Sequence, residues 1–216
     1  MNFLGHLYVS TLDANFLTGS LIADAVKGRA IETLPTSTRQ GVEVHRLLDS
    51  FTDQHPRVKD ISLWLSSEHG RWSGIVADIL LDHFLALHWD KYATLPLADF
   101  ASNCYQVLQH RLPWLPAKTQ RILPYMVNDN WLLNYADKGF LDKVFDGMHR
   151  RTQHQSTMKQ ATATLSRYYE PFDNLFHAFM PEVTAKAHEF IARLTPAVEL
   201  DFRHQSPPFR QVVDLT

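Results

Sequence analysis

The chain has 216 residues, 21 Lys and Arg against 23 Asp and Glu, and a formal net charge of −2. Its size suits one domain, its 45% hydrophobic content excludes disorder, and its charge balance excludes a surface that is basic throughout, so no nucleic-acid partner is expected. The single cysteine, Cys104, excludes an intramolecular disulfide and any cysteine-rich zinc site.

The first residues, N-F-L-G-H-L-Y-V, lack a basic leader and soon meet His6 and Asp13, so no signal peptide is expected. No uninterrupted apolar run approaches the ~20 residues of a membrane span. The expectation is a cytoplasmic protein with no membrane partner. Residues 14–27 place Phe16, Leu17, Leu21, Ile22 and Val26 near one helical stripe. Asp13 suits its N-cap and Gly28 the position after its end. Thr36 or Ser37 is expected to cap a second helix, running through His45 to about Phe51. Pro56 suits the first turn of a helix over 56–68. A long helix is expected over 73–91, and others over about 97–110, 117–134, 138–151, 157–176 and 181–194. Pro96, Pro113, Pro116, Pro171 and Pro181 punctuate them. Alternating strand patterns are scarce, so the fold is read as all-α. Residues 1–194 form the expected domain. Residues 195–216 break the periodicity and read as a tail.

Two runs carry chemistry: H-R-L-L-D-S-F-T-D at 45–53 and D-I-L-L-D-H-F-L-A-L-H-W at 78–89. Helical spacing puts His45 over Asp49 and Asp78 over Asp82. Read alone, His45 is a core histidine bonded to Asp49, and Asp53 caps the next helix. Read alone, His88 is a helix-end histidine favoured by the helix dipole. But Asp78 and Asp82 share a face of an apolar helix, and carboxylates are rarely buried without a partner. Arg46 or Arg71 is one possible source of positive charge. A metal held between two helices is another and supplies it more completely. Asp24 and His6 are lone polar groups in apolar helical segments and extend the set. Oxygen and imidazole ligands without thiolate suit Mn²⁺, Fe²⁺ or Mg²⁺. Of the basic residues, Lys27 and Arg29 follow the Asp24 helix, and Arg150-Arg151 form an adjacent pair suited to anions. No phosphate-binding glycine loop, serine-hydrolase elbow or HExxH helix is present.

These segments resemble a known family. N-F-L-G-H-L at 2–7, G-S-L-I-A-D-A-V-K-G at 19–28 and the two runs above are similar to the acyl carrier protein phosphodiesterases. So are W-L-L-N-Y at 131–135, G-M-H-R-R at 147–151 and F-H-A-F-M-P at 176–181. The resemblance spans roughly residues 1–194. It implies a single compact helical domain, a non-standard relative of the HD phosphohydrolases. It also implies hydrolysis of holo-acyl carrier protein to apo-protein and 4′-phosphopantetheine with a divalent metal, typically Mn²⁺. Asp82-His83 reverses the His-Asp pair that names the HD enzymes, so ligand roles do not transfer directly. The expected metal residues are Asp24, His45, Asp49, Asp78 and Asp82. His83 or His6 is expected to protonate the departing serine oxygen, and Arg46 to stabilise phosphoryl charge. The carrier protein is acidic, so Lys27, Arg29, Arg150 and Arg151 are its expected contacts. Two other readings stay open: an HD-type enzyme acting on a nucleotide or small phosphate ester, and a carrier-protein-binding module without catalysis.

Overall fold

The computed structural model describes residues 1–10, 13–153 and 155–194. The expected tail at 195–216 lies outside the described residues. Among those described there is no strand, as the scarcity of alternating patterns predicts. The α-helices are α1 (Phe3–Tyr8), α2 (Ala14–Ile22), α3 (Thr36–Gln54), α4 (Pro56–His69), α5 (Ser73–Leu87), α6 (Leu97–His110), α7 (Ala117–Asn128), α8 (Trp131–Asn134), α9 (Lys138–Arg151), α10 (Ala161–Arg167) and α11 (Tyr169–Leu194).

Helix α5 is the central element. Val76, Ala77, Ile79, Leu80, Leu81, Phe84 and Leu85 are all buried, so it is apolar on nearly every side. Helices α1, α4, α8 and α11 pack against it. The most intimate pair is α2 and α3, and two glycines explain why. A Cβ on Gly19 would lie 2.0 Å from the Thr38 carbonyl oxygen, and one on Gly41 would lie 2.1 Å from the Phe16 carbonyl oxygen. The two backbones therefore touch where no side chain fits. His45 follows Gly41 by four residues, on the same face of α3, so this crossing brings the end of α2 over the imidazole.

Several boundaries differ from expectation. Asp13 does cap α2, accepting from the Phe16 N–H at 2.8 Å. The helix ends at Ile22, however, and Asp24 lies in the turn beyond. Gly28 has φ +56° and opens a 3₁₀ turn, Gly28–Thr33. Neither Thr36 nor Ser37 caps α3: Pro35 is the N-cap residue, and the Ser37 hydroxyl donates to Asp13. Helix α3 continues to Gln54, which places Asp53 inside it, and His55 rather than Asp53 caps α4. The pattern over 117–134 breaks at Asn130, which has φ 42°. Helix α11 runs through Pro181, which spacing alone treats as a stop. Phe176, Phe179, Met180 and Val183 are buried on both sides of it, and their packing offsets the roughly 3 kcal/mol cost of an internal proline.

Candidate metal centre

The centre is assembled from distant parts of the chain. Helix α1 contributes His6, α3 contributes His45, Asp49 and Asp53, α5 contributes Asp78, and the turn after α2 contributes Asp24. All line one cavity of about 250 Å³, whose other walls include Phe3, Leu7 and Leu21. Asp24 and Asp53 are exposed, whereas His6 and His45 are buried.

Asp49 bridges the Nε2 edges of the two imidazoles. Its Oδ1 is 2.9 Å from His6 Nε2 and its Oδ2 is 3.2 Å from His45 Nε2. Asp24 Oδ1 lies 3.8 Å from His45 Nε2. The two rings stack with centroids 3.7 Å apart and planes 19° apart. His6 Nδ1 and Nε2 and His45 Nδ1 are buried with no hydrogen bond, since the close His6–Asp49 approach is not aligned for one. One donor atom from each of His6, His45 and Asp49 lies within 4.8 Å of the others.

Burial pushes the His6 imidazole down to about 4, although the Asp49 carboxylate opposes this. Burial acts to raise the Asp49 carboxyl, but the approach of His45 and His6 outweighs it and holds Asp49 below the usual carboxylate range. A neutral imidazole beside an ionised carboxylate is the ligand-competent state. Two buried imidazoles with their Nε2 atoms facing one carboxylate, His6 Nε2 without a hydrogen bond, are the arrangement a divalent cation would complete. The residues therefore fit a metal, with further oxygen donors from Asp24, Asp53 and Asp78 on the cavity wall.

Of the other expected residues, Asp78 lines the cavity, whereas Asp82, His83 and Arg46 do not. Asp82 is fully buried and accepts three backbone N–H groups: Asn2 and Gly5 at 3.1 and 3.0 Å on Oδ1, and Leu4 at 2.8 Å on Oδ2. It is the cap of α1, whose own N-cap residue, Asn2, makes no side-chain cap. Burial pushes the Asp82 carboxyl up to about 7, against the pull of the Met1 ammonium and these three N–H groups. Asp78 accepts from the Met1 ammonium at 2.7 Å while still lining the cavity. His83 is buried with Nδ1 2.8 Å from the Tyr135 carbonyl oxygen and does not line the cavity. The Arg46 guanidinium donates to the Val26 carbonyl oxygen at 2.7 Å, tying α3 to the turn that carries Asp24. Arg71 stacks over Trp72. Neither arginine therefore supplies the cation that the apolar helix α5 seemed to need.

The sequence matches the family model described as acyl carrier protein phosphodiesterase over residues 1–183. The chain belongs to the acyl carrier protein phosphodiesterase family. It is thereby an enzyme of the phosphoric diester hydrolase class. It is 34% identical over 190 residues to the acyl carrier protein phosphodiesterase of Yersinia pestis, covering 87% of this chain and 97% of that protein. It is 35% identical over 188 residues to that of Photorhabdus laumondii, covering 87% and 95%. Against the Escherichia coli protein it is 31% identical over 188 residues, covering 87% and 97%. No solved structure matches the chain. The family resemblance carried by the short segments from 2–7 to 176–181 is thus borne out.

Asp53 is the residue that sequence reasoning set aside. Its spacing of eight residues from His45 already placed it on the same face, provided the helix continued. The folded pKa of His6 is about 4 and its ordinary value is 6.5, so folding disfavours its protonated form. Its contribution vanishes above pH 6.5 and becomes increasingly destabilising as pH falls towards 4. In the metal-free protein, His6→Gln is therefore expected to gain stability relative to wild type across that window, by up to about 3 kcal/mol. Urea titrations of both proteins at pH 7 and pH 4.5 would check this. A difference that does not change with pH would refute it.

Proposed function

We propose that this phosphodiesterase hydrolyses the ester joining 4′-phosphopantetheine to the serine of holo-acyl carrier protein, releasing apo-protein and free 4′-phosphopantetheine. On this reading it works in the cytoplasm and is a divergent relative of the HD phosphohydrolases. The observation that carries it is the pair of buried imidazoles, His6 and His45, set against Asp49 with three ring nitrogens lacking a hydrogen bond. His6, His45, Asp49 and Asp24 would hold the cation, with Mn²⁺ favoured over Fe²⁺ or Mg²⁺. A divalent cation there supplies charge neutralisation for the phosphoryl oxygens and a water of lowered pKa.

The chain's own groups do the rest. His6, with its pKa near 4, carries a proton in about one molecule in a thousand at pH 7, so it serves better as a ligand than as an acid. Asp78 is better placed to assist the departing serine oxygen. It lines the cavity, and its carboxyl is raised by burial, with repulsion from Asp49 and Asp53 acting the same way against the Met1 ammonium. Asp82 positions His6 by capping α1. Arg46 positions Asp24 through Val26. Leu7, Leu21 and Phe3 offer the pantetheine arm an apolar wall.

Incubation with holo-acyl carrier protein and Mn²⁺, read by intact mass, tests the reaction. Loss of the phosphopantetheine mass is expected, stopped by chelator and restored by Mn²⁺. Undiminished turnover in excess chelator, with no metal found by elemental analysis, overturns the metal-dependent mechanism.

Lys27 and Arg29 are exposed three and five residues beyond Asp24, which lines the cavity. Arg150 and Arg151 are exposed at the end of α9, where Arg150 pairs with Asp146. All four are proposed contacts for the acidic carrier protein. Converting Lys27 and Arg29 together to Glu is expected to raise KM for the carrier protein and flatten its salt dependence. Hydrolysis of a small phosphodiester should be unaffected. The Arg150-Arg151 double change should act in the same direction but less, because Arg150 is already partly neutralised. Equal KM values in all variants would place the docking face elsewhere.

A further inference from the structure

We propose that His88, Asp173 and His177 form a second metal site, one that takes a borderline-soft divalent ion such as Zn²⁺ and staples the end of α5 to α11. His88 is the C-cap residue of α5, and Asp173 and His177 lie one turn apart on α11. Asp78 and His88 are ten residues apart, about 15 Å along a helix axis, so the two centres are separate.

The three side chains cluster, and an ion would replace the direct contact between His88 and Asp173. Asp173 Oδ1 is 2.6 Å from His88 Nε2 and 3.5 Å from His177 Nε2. One donor atom from each of the three residues lies within 4.8 Å of the others. Two imidazoles and one carboxylate are a common three-residue ligand set for zinc, with water in the fourth position. The set contains fewer oxygens than the first centre, which favours zinc over Mn²⁺ or Mg²⁺.

The surroundings orient the donors. The Tyr92 hydroxyl is 2.6 Å from His177 Nδ1, which leaves Nε2 to face Asp173. Such an outer hydrogen bond fixes the tautomer and ring direction of a ligating histidine. Phe84 and Phe176 stack on the His88 ring, each with centroids 6.3 Å away. All three donors keep 18 to 29% of their side-chain exposure, so an ion can reach them. Lys91 Nζ lies 3.2 Å from His177 Nε2. A cation thus already sits against the nitrogen that would bind metal. Because Lys91 is exposed, it can swing away.

The test compares the full-length protein in four forms: wild type, Asp49→Asn, His88→Gln/His177→Gln, and the triple variant. Each is equilibrated with Zn²⁺, freed of excess by gel filtration, and assayed for bound zinc and for melting temperature. The expected retention is two equivalents, one, one and none. In the Asp49→Asn background, zinc at a hundredfold excess over Kd is expected to raise Tm by roughly 5–10 °C, and the histidine changes should remove that rise. Tyr92→Phe should weaken zinc binding about 10–100-fold, and Lys91→Ala, a surface change that spares the fold, should tighten it. If the double histidine variant retains as much zinc as its parent in both backgrounds, or if Lys91→Ala and Tyr92→Phe both leave zinc binding unchanged, the proposal fails. Neither failure bears on the reaction at the first centre.

Discussion

Replacing Asp49 with Asn is expected to abolish turnover together with metal retention at the first centre. Among the described residues, Asp49 is the one carboxylate that approaches both His6 and His45, at 2.9 and 3.2 Å. The amide has the same shape but no charge, and its NH₂ would point a donor at one of the two imidazoles. Loss of the ion removes both the charge neutralisation and the acidified water, so kcat/KM should fall by at least about 10³, or about 4 kcal/mol of transition-state stabilisation. Elemental analysis beside a carrier-protein assay decides it. An Asp49→Asn protein that loses no metal relative to wild type and keeps more than a tenth of wild-type activity would remove Asp49 from the centre.

Asp82→Ala should produce the largest loss of stability. The carboxylate accepts three backbone N–H groups at the start of α1, all in a buried setting. Alanine would leave those donors without partners, at a cost of about 3–5 kcal/mol. A loss of that size lowers Tm by roughly 6–20 °C in a chain of this length. Asp82→Asn should not rescue it fully, because an amide NH₂ would face either the Leu4 N–H or the pair from Asn2 and Gly5. Activity should fall too, since α1 carries His6. The measurement that separates this role from metal ligation is the melt in excess chelator. A residue that only binds metal leaves the Tm of the metal-free protein unchanged, whereas a cap lowers it with or without metal.

That pair of residues shows where a reading of spacing stops. His45 and Asp49 were legible as partners because a helix puts positions four apart on one face, and the structure keeps them 3.2 Å apart. Asp78 and Asp82 have the same spacing and share a helix, yet one lines the cavity and the other caps α1. Periodicity says which side chains share a face but not what lies opposite. His83 shows the same limit: next to Asp82 in sequence, it turns to the Tyr135 carbonyl and away from the cavity.

The helical class, most helix positions and the family were determined by the sequence itself. Apolar periodicity, the Asp13 cap and the Pro56 start are local signals, and the motif segments are read directly. Three things were decided only by tertiary structure. His6 meets Asp49, forty-three residues on, because α1 is held on α5 by Asp82. Asp24 reaches His45 because Gly19 and Gly41 let α2 and α3 touch backbone to backbone. Asp173 and His177 meet His88 because Phe176, between them on α11, is buried against Phe84 of α5, with ring centroids 5.8 Å apart. In each case the deciding energy comes from contacts between segments far apart in the chain, which propensity and spacing do not encode.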